Sequence, residues 1–249
     1  VRIAYDNKAL VASSITALTA DLIFDETNLQ NQRLAKVFRT TTPTAQTVVF
    51  DLGSAQRINC AAIIGHNLSA SSTTMIEGNA SDSWTSPSVQ ETFTYDSDMI
   101  VKYFTGGSYR YWRFTLDDAS NADGYDEVGV LWISDYIDID PTSLIDFSVK
   151  KRRSDTVTYG RGRQKFSTEG VGWRRFEMSF PRTGGTALTN ILTLYDTAGN
   201  HSSLIFSNFN SLRSYPIVEP VYCSIVGDLS FRHRRSMKFE YKLTLEEDR

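Results

Sequence analysis

Carboxylates are abundant in the first half of this 249-residue chain. They crowd into Asp117-Asp-Ala-Ser-Asn-Ala-Asp-Gly-Tyr-Asp-Glu127. Clustered oxygens suit calcium, a hard cation that takes roughly six to eight oxygen ligands. Setting Gly124 at the glycine of a helix–loop–helix calcium loop puts Asn121 and Asp123 at ligand positions. The same register puts Ala119 first and Val130 last, where oxygens are required, so the motif fails. The run then reads as a solvated turn between two strands. Neither Asp96/Asp98 nor Asp117/Asp118 is spaced to single out a hydrolytic pair, because such pairs meet in space. The Gly-x-Ser-x-Gly, His-Glu-x-x-His and Gly-x-x-x-x-Gly-Lys-Ser/Thr patterns are absent. Gly160-Arg-Gly162 and Gly184-Gly185 are lone glycine turns. His66, His201 and His233 stand without metal-ligand spacing to one another or to a cysteine. The expectation is no enzyme, no cofactor and no metal centre.

Sugar recognition needs exposed aromatics to stack on, with carboxylates, amides and arginine to bond the hydroxyls. His66, Asn67, Trp84, Tyr103, Tyr109 and Arg110 fall at loops or strand ends and are the candidates. For each of them a structural role carries more weight. Trp112, Phe114 and Trp132 read as core.

Basic residues cluster at Lys150-Lys-Arg-Arg153, Arg161/Arg163/Lys165, Arg174-Arg175 and Arg232-His-Arg-Arg235. Nucleic acid would need such charge, but the first and last runs lack interleaved aromatics for base stacking. Arg174 and Arg175 would also point to opposite faces of a strand. No specific nucleic acid is expected, and passing contact with DNA is the lesser reading. Lys150, Lys151, Arg152, Arg153, Arg232, Arg234 and Arg235 are instead candidates for ion pairs between subunits, because the planar guanidinium fork suits interface carboxylates.

The net charge of −3 hides an asymmetry. Residues 1–140 carry 9 Lys+Arg against 18 Asp+Glu, and residues 141–249 carry 17 against 11. An acidic half joined to a basic half suggests two modules and head-to-tail pairing between copies. Hydrophobic content of 41% with 22% charged residues is that of a globular chain. No run approaches the length of a membrane span. Val1-Arg-Ile-Ala-Tyr-Asp-Asn-Lys8 lacks the apolar core of an export signal. Cys60 and Cys223 lie in separate apolar runs and read as buried free thiols.

Strands must position these side chains. Val48, Phe50 and Leu52 alternate with Val49 and Asp51, while Ala61-Ala-Ile-Ile64 is continuously apolar like a strand covered on both sides. Asn67–Thr74 and Gly78–Ser88 read as turns. Tyr109, Tyr111, Arg113 and Thr115 share one strand face, and Arg110, Trp112, Phe114 and Leu116 the other. A boundary is expected near Asp140, before Pro141, dividing the chain into 1–140 and 141–249. In the second half, strands are predicted at Thr156–Tyr159, Trp173–Phe180, Ser203–Phe206, Ile217–Ile225 and Ser236–Leu245. A helix is predicted over 187–198, capped by Thr186, apolar at Leu188, Ile191, Leu192 and Tyr195, and ended by Gly199.

The order Asn28–Arg39, Thr47-Val-Val-Phe-Asp-Leu-Gly53, Ile58–Leu68, Tyr109–Leu116 and Gly124–Ser134 resembles the discoidin, or galactose-binding-like, β-sandwich of tailed-phage tail proteins. The second half resembles the barrel-plus-helix domains of tail-tube and baseplate proteins. The expected fold class is therefore mainly β: a discoidin-like sandwich, then a small β-barrel or sandwich with one packed helix. The resemblance implies a distal-tail-like structural protein of a phage tail tip or baseplate, joining the tube to the tip. It implies a self-assembled ring, trimeric or hexameric, bound to other tail proteins and located in the virion after assembly in the bacterial cytoplasm. Discoidin-like relatives can hold calcium with irregular loop ligands, so the resemblance leaves such a site open. The alternative is a carbohydrate-binding module that recognises host-surface glycans.

Overall fold

The computed structural model describes residues 1–139, 146–183, 185–208, 218–234 and 238–248, leaving the side chains at 181–183, 218, 233–234 and 238 undescribed. In the first half the strands are β1 (Arg2–Ala4), β2 (Ser14–Ala17), β3 (Phe38–Arg39), β4 (Gln46–His66), β5 (Thr73–Asn79), β6 (Val89–Thr92), β7 (Met99–Asp117), β8 (Glu127–Ser134) and β9 (Tyr136–Asp138). The second half adds β10 (Asp146–Arg153), β11 (Thr156–Tyr159), β12 (Lys165–Thr168), β13 (Gly172–Thr183), helix α1 (Thr186–Ala198), β14 (Ser203–Asn208), β15 (Val218–Ile225), β16 (Ser230–Arg234) and β17 (Lys238–Glu247). Two units result, Ile3–Ile137 and Asp138–Arg249 with Val1–Arg2. The expected boundary residues Asp140 and Pro141 lie outside the described residues.

In the Ile3–Ile137 unit, β4 and β7 run antiparallel through both layers of a β-sandwich. The first part of β4 pairs Val48 with Phe114 and Phe50 with Trp112, and β2 flanks it on the other side. Its second part pairs Ile63 with Ile100 and with Leu131, so β8 takes the place of β2. Register shifts at Asp51/Gln56 and Ile58/Cys60 turn the strand from one layer into the other. Gly53 sits at that bend with φ +74°, and the Asp51 carboxylate accepts its N–H at 2.8 Å. The two strands expected at residues 47–53 and 58–68 are therefore one, because bulges let it bend without breaking its ladder. Ala61–Ile64 is buried between β7 and β8, as continuous apolarity requires. Thr73 and Thr74, and Gly78 and Asn79, were expected in turns; they belong to β5, whose partner β7 outweighs their turn preference.

Val48, Phe50, Ile58, Ile63, Ile76, Trp112, Phe114, Leu116, Leu131 and Ile133 meet in one core. Phe114 stacks on Phe93 and meets Phe50 edge-on, each at 6.0 Å. Large side chains of this kind each contribute about 1.5–3 kcal/mol on burial. Both cysteines are buried free thiols.

In the other unit, strands lie in the order β10-β13-β17-β15-β14, with β16 on β17. Phe147, Phe176 and Phe206 form an aromatic cluster, and Phe180 stacks on Tyr241 at 4.7 Å. Helix α1 differs from its prediction in two details. Gly185, at φ +59°, is the N-cap, without a side-chain hydrogen bond, so Thr186 is the first helical residue and no cap. The buried stripe is Ile191, Leu194 and Ala198, while Leu192 is 40% exposed. An i, i+3, i+7 stripe is narrower than the apolar content alone suggested. Gly199 ends the helix at φ +49°, donating its N–H to the Tyr195 carbonyl. Among the described residues no helix is long and apolar enough to cross a membrane.

Candidate functional site

The six sequence candidates for sugar contact are dispersed: His66 on β4, Tyr103, Tyr109 and Arg110 on β7, Asn67 just after β4, and Trp84 in the loop between β5 and β6. His66 ends β4, Tyr103 pairs with Cys60, and Tyr109 pairs with Gln56. At about 3.3 Å per residue, His66 lies about 20 Å along the strand from Cys60. Most also have structural duties. His66 Nδ1 accepts the Leu68 N–H, and Nε2 lies 3.1 Å from the Asp96 carbonyl, which fixes the neutral ring with its proton on Nε2. Burial lowers its pKa in the same direction. Asn67 donates to Asp123 and the Tyr125 carbonyl and accepts from Glu127 N–H, closing the loop after β4 onto β8. Trp84 covers the guanidinium of Arg113, which in turn neutralises the buried Glu77 at 2.6 Å. Arg110 grips Asp51 with two bonds of 2.6 and 2.7 Å, and Tyr109 packs on Trp112.

Tyr103 belongs to a different neighbourhood. Its ring meets Tyr136 edge-on at 5.1 Å, and Tyr136 lines a cleft of about 250 Å³ with Tyr5, Asp6, Lys8, Gln56, Arg57, Asp135 and Ile137. Three chain segments build it. Residues 5–8 turn sharply at Asp6, a non-glycine residue at φ +60°. Asn7 is buried and fastens that turn to β8, accepting from Ala9 and Ile133 N–H and donating to the Leu131 carbonyl. Gln56 and Arg57 stand at the bulged bend of β4. Asn59, also buried, accepts the Tyr136 N–H at 3.1 Å and so aligns the third segment.

The cleft is electrically balanced. Arg57 lies 3.4 Å from Asp135, and Lys8 forms an ion pair with Asp6. The Tyr5 phenol is pushed above its ordinary range by burial and then by Asp6 and Asp135, so it stays a neutral donor and acceptor. Two phenols, an amide, two carboxylates and two cations thus converge where a small polyhydroxylated ring could be bonded around its rim. Sequence reading missed these residues because no two of the three segments are near neighbours in the chain. One signal was present: Asp6-Asn7 is a pair that tolerates left-handed backbone and favours a tight turn.

The acidic run 117–127 is dispersed too. Asp117 accepts from Ala45 N–H, Asp118 from Ser69, and Asp123 from Asn67. No group of three or more carboxylate, histidine or cysteine side chains suited to a metal occurs among the described residues. The basic candidates of the other unit separate in the same way. Lys150 pairs with Glu177 at 2.7 Å, and Arg153 pairs with Asp155 and Glu169. Arg174 and Arg175 find separate carboxylates, Glu247 and Glu246. Lys151, Arg152 and Arg232 are exposed. The Arg234 side chain and Arg235 lie outside the described residues.

No protein-family model matches the chain, and no curated protein matches it. Among solved structures it is similar to a fucose-binding module of Streptococcus pneumoniae, at 12% identity over 52% of this chain and 95% of that one, with a TM-score of 0.42. It is similar to chitosan-binding module 1 from a chitosanase/glucanase of Paenibacillus sp. IK-5, at 19% identity over 53% of this chain and 100% of that one, TM-score 0.42. The family 32 CBM from C. perfringens NanJ, solved with galactose, gives 12% identity over 55% of this chain and 100% of that one, TM-score 0.42. At these identities and TM-scores the likenesses carry no argument about this chain.

Proposed function

We propose that the Ile3–Ile137 sandwich is a carbohydrate-binding module that holds a neutral sugar in the cleft between Tyr5 and Tyr136. The observation that carries this reading is the balanced donor set: Asp6 and Asp135 against Lys8 and Arg57, with two phenols and Gln56. Equal numbers of fixed charges favour hydroxyl ligands over anionic or cationic ones, because a charged ring would meet as many like charges as opposite ones. Carboxylate and guanidinium can exchange part of their mutual contact for bonds to vicinal hydroxyls. A hexose has about 12 heavy atoms, and about 0.3–0.4 kcal/mol per atom gives a Kd of roughly 0.2–2 mM. The test is calorimetric titration of the full chain with neutral, acidic and amino sugars. Binding of a neutral sugar, lost in Tyr136→Ala and Asp135→Ala, supports the reading. Binding that survives both substitutions, or no binding of any sugar at millimolar concentration, refutes it.

A second reading is a structural ring component at a phage tail tip or baseplate, carried in the virion. It rests on the order of elements in the sequence and on one feature of the other unit, a long ribbon with uncovered apolar side chains. Immunogold labelling of particles from a producing host would test that location.

A further inference from the structure

β10 and β13 pair from Asp146↔Ser179 to Arg153↔Gly172, and β13 gains a second partner, β17, only from Arg175 onward. Beyond Lys151 and Arg174 the hairpin is two-stranded, first as β10–β13 and then as the separate pair β11–β12. The nine residues from Lys151 to Tyr159 reach about 30 Å at roughly 3.3 Å each. Every residue from Lys150 to Val171 is exposed except Gly160 and Gly170. Exposed side chains include Tyr159 (68%), Val171 (63%), Phe166 (55%) and Val157 (43%). Val157 and Tyr159 share one face, opposite Ser167 and Lys165, while Phe166 takes the other. An isolated two-stranded ribbon is marginal in water, and both of its edges are open to pairing.

We infer that this ribbon is a docking arm that lies along the β6 edge of a second copy of the chain. Charge selects that occupant. Lys150 to Val171 holds seven Lys or Arg against Asp155 and Glu169. Two such arms would repel each other, which disfavours arm-to-arm pairing. Residues 1–140 carry twice as many carboxylates as cations, 18 against 9. Among the described residues β6 is a terminal strand of the sandwich sheet, paired only with β5. The exposed Asp82, Asp96 and Asp98 flank it in the chain. Strand addition satisfies the open backbone of both partners, and Tyr159 or Phe166 gains cover on the receiving sheet. The inference is independent of the sugar cleft and gives the assembly reading a contact surface. Because the assay uses the purified chain alone, failure of the tail location would leave it standing.

The experiment is light scattering of the full chain across a concentration series at low and high salt. The wild type is expected to associate at low salt and to weaken as salt rises. The arm variant Arg161→Glu/Arg163→Glu/Lys165→Glu should associate at least about tenfold more weakly, as should the edge variant Asp82→Lys/Asp98→Lys. Mixing the two variants should restore association, which misfolding of either could not do. Tyr159→Ser/Phe166→Ser, which keeps the charge, should weaken it as well. A wild type that is monomeric at every concentration overturns the inference. So does an arm variant that associates normally, a mixture that stays apart, or assembly that requires added duplex DNA.

Discussion

Asp126 offers the sharpest test of how the sandwich is balanced. Its side chain is wholly buried, Oδ1 accepts one bond of 3.3 Å from Asn121, and Oδ2 has no hydrogen-bond partner among the described residues. Its backbone N–H donates to the Thr40 hydroxyl, which anchors the main chain at this position. Burial first, and then Asp118 and Asp117, raise its pKa from 3.8 to about 7. A folded-state value above the unfolded one means the fold holds a proton that the unfolded chain releases. The group's contribution is fully present below about pH 4 and is lost as pH rises through 7. Linkage puts the loss at a little over 1 kcal/mol per pH unit, roughly 4 kcal/mol in all. Asp126→Asn keeps the shape, the Asn121 bond and the neutral state. Urea unfolding followed by tryptophan fluorescence reads this unit well, since Trp112 and Trp132 lie in its core. The variant should gain about 2–3 kcal/mol on the wild type between pH 5 and pH 8. Parallel stability curves across that range, or a variant weaker than wild type at pH 8, would refute the reasoning.

Other consequences can be checked on the same material. Arg113→Ala strips the partner from Glu77, whose side chain is 2% exposed, and should cost about 3–5 kcal/mol in urea unfolding; adding Glu77→Gln should recover much of it. At Gly106 an added Cβ would lie 2.0 Å from the Ile58 carbonyl oxygen, where β7 crosses the bulge of β4. Gly106→Ala should therefore cost about 1–3 kcal/mol or more, seen as a lower urea midpoint. On α1, Ile191→Ala should cost about 2–5 kcal/mol while Leu192→Ser stays within about 0.5 kcal/mol, although both positions read as apolar in the sequence.

Periodicity carried much of the β architecture. Val48 and Phe50 point inward from a strand because residues two apart share a face, and Tyr109–Leu116 divides into inner and outer rows for the same reason. The buried Ala61–Ile64 run was legible as a central strand, and Trp112, Phe114 and Trp132 as core. What stayed hidden were features that depend on a partner element. The bend that makes one strand of two segments comes from bulges against β7, and no local pattern encodes them. Exposure of Leu192 depends on which helix face meets the unit's core. The cleft draws on residues 5–8, 56–57 and 135–137, joined by the buried amides of Asn7 and Asn59. The glycan candidates from sequence were surface aromatics and polar residues, whose types do not reveal that Asp51, Glu77 or Asp123 already engages them or their neighbours.

The continuity of β4 also sets the order in which this unit can fold during synthesis. Gln46 pairs with Leu116 and Cys60 with Ser134, so each long contact spans about 70 residues, a loop whose closure costs roughly 4 kcal/mol. At about 5–20 residues per second, the Cys60-Ala-Ala-Ile-Ile64 segment waits about 4–15 s before its partner strand β8 has been made. β7, whose Met99–Tyr103 stretch covers the other edge, is made earlier, so until β8 follows one edge of this apolar segment stays unpaired. Added holding chaperones should then raise the yield of soluble chain more than any substitution on the finished surface.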